Sequence, residues 1–201
     1  MGKRVTPQFT AQKAASLGGR WTALAKTQRG VLSDAELLDY SGYHLVYEVQ
    51  MLFVTAALMT RATGRITPVG EEERVVRFAL LESFSLHLRN LIDLFYPNPK
   101  KKPHSTDVLA DDFFQARKRP STFPAISQSL TRARERASKE VAHLTKERIA
   151  GTPPEKEWRF LELTGEMCNI LDEFVRAASP EKLHSIVGQQ VRQVTSTAAG
   201  G

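Results

Sequence analysis

Apolar residues return every three or four positions through long stretches of this chain, and no stretch alternates apolar with polar. A period near 3.6 gathers side chains on one helical stripe, whereas a half-buried strand needs a period of two. The expected fold is therefore all-α: an up-down bundle of four main helices with one or two short extra helices. Ser33-Asp34-Ala-Glu36 carries helix-capping chemistry and opens the first helix, which bends near Gly42 and stops at Thr63-Gly64. The second starts at the acidic run Glu71-Glu-Glu, after Pro68 and Gly70, and buries a seam of Val75, Phe78, Leu81, Ser85, Leu88, Ile92 and Phe95.

Tyr96-Pro-Asn-Pro-Lys-Lys-Lys-Pro-His104 cannot be helical, because prolines recur and the lysines repel, so it forms an exposed cationic loop able to touch phosphates. A short helix follows from Asp107 to Arg117. The third main helix carries the seam Ile126, Leu130, Ala133, Ala137, Val141 and Leu144 and ends before Gly151-Thr-Pro-Pro154. The fourth starts at Glu155, and a shorter one runs from Ser179-Pro180 to about Val191.

The 201 residues are 41% hydrophobic, which suits one domain with tails. Residues 1–33 are read as a basic flexible tail, with Arg20 to Lys26 as a possible docking helix, 34–192 as the bundle, and 193–201 as a second flexible tail. Cys168 is the only cysteine, so no internal disulfide can form, and a reducing compartment, the cytoplasm, is expected. No run of apolar residues is long enough to span a membrane, and residues 1–33 lack the continuous apolar stretch of a secretory signal. The net charge of +6 and pI near 9.6 favour polyanions without assigning a site. Glycine-rich phosphate loops, Gly-x-Ser-x-Gly elbows and nucleophilic cysteine contexts are missing from the sequence, which excludes nucleotide hydrolases and acyl-transfer enzymes.

Chemistry concentrates in Arg132 to Arg148. Arg136, Glu140 and His143 are spaced by four and three, so on a continuous helix they share one face at the edge of the apolar seam. A solvated basic helix face is the plain reading. The functional reading is a site in which Glu140 orients His143 or holds Arg136, with Lys139 beside it and Arg89 and Asn90 supporting from the second helix. On that helix Arg89 also has Glu82 and Asp93 as possible partners, and on the first helix His44 and Glu48 are spaced to pair.

Arg136-Ala-Ser-Lys-Glu-Val-Ala-His143 resembles the arginine and histidine motif near a helix end in the HEPN superfamily of small all-α bundles, with Ala137 where that family often has a polar residue. Lys139-Glu-Val-Ala-His-Leu-Thr145 is similar to a run shared by uncharacterised bacterial helical proteins. The HEPN resemblance implies metal-independent RNA cleavage, with no cofactor, at a site formed where two protomers of a homodimer meet. It also implies a place in a toxin–antitoxin or antiphage system, with an antitoxin protein as partner. His143 would move the proton of the attacking 2′-hydroxyl, and Arg136 would hold the phosphate.

Other readings use the same residues. Glu140 and His143 have the Glu-x-x-His spacing of di-iron bundles, though neither His44 with Glu48 nor Glu82 with His87 has that spacing. The stronger competitor is a non-catalytic HEPN-like module that binds protein or nucleic acid.

Overall fold

Ser33 and Glu36 close the first helix reciprocally: the Ser33 hydroxyl accepts the Glu36 N–H at 3.3 Å, and the Glu36 carboxylate accepts the Ser33 N–H at 2.8 Å. Donation to it from the Ser33 N–H and from the Ser33 hydroxyl holds the Glu36 carboxyl below its usual range. The computed structural model describes residues 29–63, 70–99, 101–143, 145–149 and 156–199. Within them the chain is all-α, and an isolated bridge between Phe114 and Ala178 is the one β contact. Helix α1 (Asp34–Tyr40) passes through a wide π-helical turn, Ser41–Leu45, into α2 (Val46–Thr63). The bend expected at Gly42 is this turn, and it has a packing cause. A Cβ on Gly42 would stand 3.0 Å from the His184 ring, and Ser41 Oγ accepts the His184 N–H at 2.9 Å.

Helix α3 (Glu71–Phe95) packs along α2 and buries Phe84, Leu88, Leu91, Ile92 and Phe95. The expected seam holds from Leu81, partly buried against the core, onward and fails at Val75 and Phe78. Val75 and Phe78 are each 59% exposed, because the first turns of α3 extend past the core. Helix α4 (Ala110–Phe113) is shorter than expected at both ends. Asp107 is used before it, accepting the His104 N–H, and Ala116 and Arg117 adopt left-handed φ of 50° and 54°, which stops any continuation.

Ser127 caps α5 (Gln128–Arg136) by accepting the Leu130 N–H at 3.0 Å. A π-helical segment, Ala137–Ala142, extends it, and the helix then ends. Helix α6 (Phe160–Ala177) starts after the expected Glu155, and α7 (Ser185–Ala199) starts after Pro180 and continues well past Val191. Part of the stretch read as a carboxy-terminal tail is thus helical.

The core is aromatic. Phe174 of α6 meets Phe95 at 5.2 Å and Phe113 at 5.5 Å between ring centres, and all three are fully buried. Burying each such ring contributes roughly 2–3 kcal/mol by the area removed from water, and the edge-to-face geometry is the favoured one for aromatic pairs. The body begins earlier than expected: Arg29 pairs with buried Asp112, and Gly30 donates to Ser105 O at 3.1 Å. Arg29 to Ser33 therefore belong to the body, while residues 1–28, with the Arg20 to Lys26 stretch, lie outside the described residues. So do Leu144 and residues 150–155. Among the described residues no helix is long and apolar enough to cross a membrane.

Candidate functional site

The continuous helical face expected for Arg136, Glu140 and His143 does not form. After the wide turn, His143 takes φ −124° and ψ 147°, an extended conformation outside the helix. The π-helical segment already spreads its residues beyond the regular 3.6 spacing, so counting along an ideal helix places His143 incorrectly. His143 itself is exposed. Among the described residues no three histidine, cysteine, aspartate or glutamate side chains form a metal-binding group. The Glu-x-x-His reading is also without its geometry, since His143 lies off the helix that carries Glu140.

Arg136 and Glu140 do meet, one turn apart, with Arg136 Nε donating to Glu140 Oε2 at 3.2 Å. The other guanidinium nitrogens donate to backbone: Nη1 to Glu157 O at 3.0 Å and Nη2 to Lys156 O at 2.8 Å. The guanidinium carbon stands 4.4 Å from the centre of the Trp158 ring. Every nitrogen of this side chain is thus engaged, and the planar cation is stacked on an indole, the geometry in which arginine is held best. Lys156 Nζ approaches Glu140 at 4.0 Å and donates to Glu147 O at 3.3 Å. The cluster ties the segment leading into α6 to the end of α5.

The opposite flank of α5 borders a groove of about 1040 Å³. Its walls are the second half of α3, the proline-rich loop 97–109, and α5 with its extension. Arg89, Asn90 and Lys139 all line it, so the structure brings the supporting residues together and leaves Arg136, Glu140 and His143 elsewhere. Asp93 sits between Arg89 at 3.5 Å and Arg134 at 3.7 Å. Arg134 also donates to Tyr96 O at 2.8 Å, which fixes the start of the loop to α5. The expected Arg89–Asp93 pair is therefore present, while Glu82 forms no ion pair among the described residues.

Glu48, expected to pair with His44, turns instead toward α3. Its Oε2 lies 2.8 Å from His87 Nδ1 and accepts from Asn90 Nδ2 at 3.2 Å. His44 packs against Tyr40 and Tyr43. Packing of α2 on α3 decides this, and sequence spacing within α2 carries no sign of it.

The groove's acids are mostly engaged. Glu48 is held by His87 and Asn90, Asp93 by two arginines, and Asp107 by the His104 N–H. Lys101 and Lys102 line the same groove without a carboxylate partner among the described residues, although Glu135 is also on its wall, and Lys139, which lines it too, helps to lower the Glu147 carboxyl pKa. Tyr40, at one end, has its phenol pushed above the usual range by burial and by Glu48, so its hydroxyl stays neutral at physiological pH. The loop lysines were legible in the sequence. Arg134 was not, because only the contact with α3 and Tyr96 distinguishes it from its basic neighbours.

Compared with family models, curated proteins and solved structures, the chain matches none.

Proposed function

We propose that this chain is a non-catalytic, HEPN-like helical module that binds RNA along the groove between α3, the proline-rich loop and α5. The observation that carries the reading is the convergence of Lys101 and Lys102, free of ion pairs among the described residues, with Lys139, Arg89 and Arg134 along one groove. Lysines without carboxylate partners are the groups from which a polyanion gains most, because phosphate contact releases condensed counterions without breaking an existing pair. Asn90 adds a hydrogen-bonding group on the same wall. The reading places the chain in the cytoplasm, where RNA is available and the lone buried thiol of Cys168 meets a reducing environment.

Ribonuclease activity through Arg136 and His143 is the competing reading. It asks Arg136 to leave Trp158 and its carbonyl partners, or to serve phosphate from within that cluster, and His143 to act from outside the helix. A homodimer with a shared site and an antitoxin partner belong to this competitor. Engagement of all three Arg136 nitrogens and its stacking on Trp158 favour binding over cleavage.

Incubation of the purified protein with labelled RNA in chelator separates them. Binding without cleavage, with affinity falling steeply as salt rises and lost on Lys101→Glu with Lys102→Glu, is the expected result. Products with cyclic phosphate ends, stopped by His143→Ala and by Arg136→Ala, would establish the ribonuclease instead. Light scattering on the same sample reads whether the activity belongs to a dimer.

A further inference from the structure

Beside the groove stands a ledge of tyrosines that the fold leaves bare. Tyr43 is 75% exposed and Tyr47 49% exposed, and they lie about one turn apart at the junction between α1 and α2. A soluble domain has no folding reason to display two large rings so close together, since each would contribute to stability if turned inward.

Each tyrosine is linked through a histidine to a residue that lines the groove. Tyr40 and Glu48, which flank these tyrosines in the chain, both line it. The Tyr47 and His87 rings meet in a T-shaped contact at 5.4 Å, and His87 in turn is bonded to Glu48. The Tyr43 and His44 rings meet in a T-shaped contact at 5.3 Å, and His44 contacts Tyr40 at 5.1 Å. Each tyrosine thus has a histidine against it and still keeps much of its surface in solvent.

We infer that Tyr43 and Tyr47 form a base-stacking platform which makes the groove select single-stranded RNA over duplex, an inference that rests on the reading of the groove as the phosphate track. A paired base keeps its faces inside the duplex, whereas an unpaired base can lay its face on a tyrosine ring. Aromatic platforms beside cationic channels are the general means of holding single strands, and each stacked base is worth roughly 1–3 kcal/mol. The lysines of the proline-rich loop then hold the backbone while the ledge holds the bases. Sequence preference is expected to be weak, because every base has a face to stack.

The experiment is fluorescence anisotropy with a labelled single-stranded RNA of about twelve nucleotides and the corresponding duplex, at two salt concentrations. Wild-type protein is expected to favour the single strand. Tyr43→Ala and Tyr47→Ala are each expected to weaken single-strand binding about tenfold while leaving duplex binding unchanged, and Tyr43→Phe and Tyr47→Phe are expected to restore it. Circular dichroism and thermal melting of each variant exclude loss of fold, which Tyr43 in particular is too exposed to cause. Salt-sensitive binding that needs Lys101 and Lys102 but ignores both tyrosines would overturn the platform while keeping the groove, and would leave the ledge to a protein partner. Absence of binding to either RNA at low salt would overturn both.

Discussion

The guanidinium of Arg136 stacks on the Trp158 ring at 4.4 Å while donating to the carbonyls of the two residues just before that tryptophan. One side chain thereby joins the end of α5 to the segment that enters α6, and Phe84 of α3 meets the same indole edge-on at 6.0 Å. Arg136→Ala leaves two carbonyls and Glu140 without their donor and uncovers one ring face. The expected loss is about 2–3 kcal/mol of unfolding free energy, from the hydrogen bonds and the cation–π contact together. Arg136→Lys recovers less than half of it, since an ammonium cannot lie flat on the ring and donate to several acceptors in one plane. Urea unfolding of the three proteins checks this.

Asp112 is buried and holds the amino-terminal end of the described body. Its carboxylate takes Arg29 through both oxygens and also accepts the Leu109 N–H at 2.9 Å. This pairing raises the Arg29 guanidinium pKa still further, so the cation persists at any working pH. Asp112→Ala is expected to cost roughly 2–3 kcal/mol, below the usual figure for a sealed pair because Arg29 keeps 22% of its side-chain exposure. Arg29→Ala should cost at least as much, because the buried carboxylate is then left without its cation. Thermal melting, with proteolysis near Ser33 as a second readout, tests both.

Cys168 is buried on α6, and desolvation, with Asp172 adding to it, pushes its thiol up to about 11. Slow reaction with disulfide reagents at pH 8 follows, since the thiolate fraction is about a hundredfold below that of an unperturbed thiol. The linkage to stability has a definite sign. Well below pH 9 the thiol is protonated whether folded or unfolded and contributes no pH dependence. Between pH 9 and about pH 11 the unfolded chain ionises first, so stability falls as pH rises. Cys168→Ala should flatten that part of the profile of melting temperature against pH.

Among the described glycines Gly42 is the most tightly covered, since a Cβ there would stand 3.0 Å from the His184 ring, against 3.2 Å from Val175 for a Cβ on Gly188. Gly42→Ala therefore forces His184 aside or opens the contact between the π-helical turn and the start of α7. A loss of about 1–2 kcal/mol is expected. Gly42→Ala combined with His184→Ala should lose less than the sum of the single changes, which a double-mutant cycle by urea unfolding measures directly.

The fold class was legible because helical periodicity is local: a stripe such as Phe160, Leu163, Met167, Ile170, Leu171 and Phe174 needs only its own neighbours to be recognised, and all of it is buried. The cationic loop and the start at Ser33 follow from single-residue chemistry in the same way, while Gly42 marked the bend but not the His184 contact that requires it. Helix ends were legible less well. Nothing local shows that Ala116 turns left-handed, that α6 waits until Phe160, or that α7 continues to Ala199.

The candidate site depended on geometry between elements. Counting by helical steps put Arg136, Glu140 and His143 on one face, but a π-helical segment and an early helix end send His143 elsewhere, and Trp158 from a distant part of the chain takes Arg136. Glu48 likewise passed over His44, its neighbour in sequence, for His87 on the facing helix. The sequence by itself determined an all-helical chain and the cationic character of its loop, because propensity, period and charge act over a few residues. Which charges face one another, which arginine is locked and which lysines line a groove were decided only by the tertiary structure, since ion pairs and ring contacts form between groups that folding brings within a few ångströms.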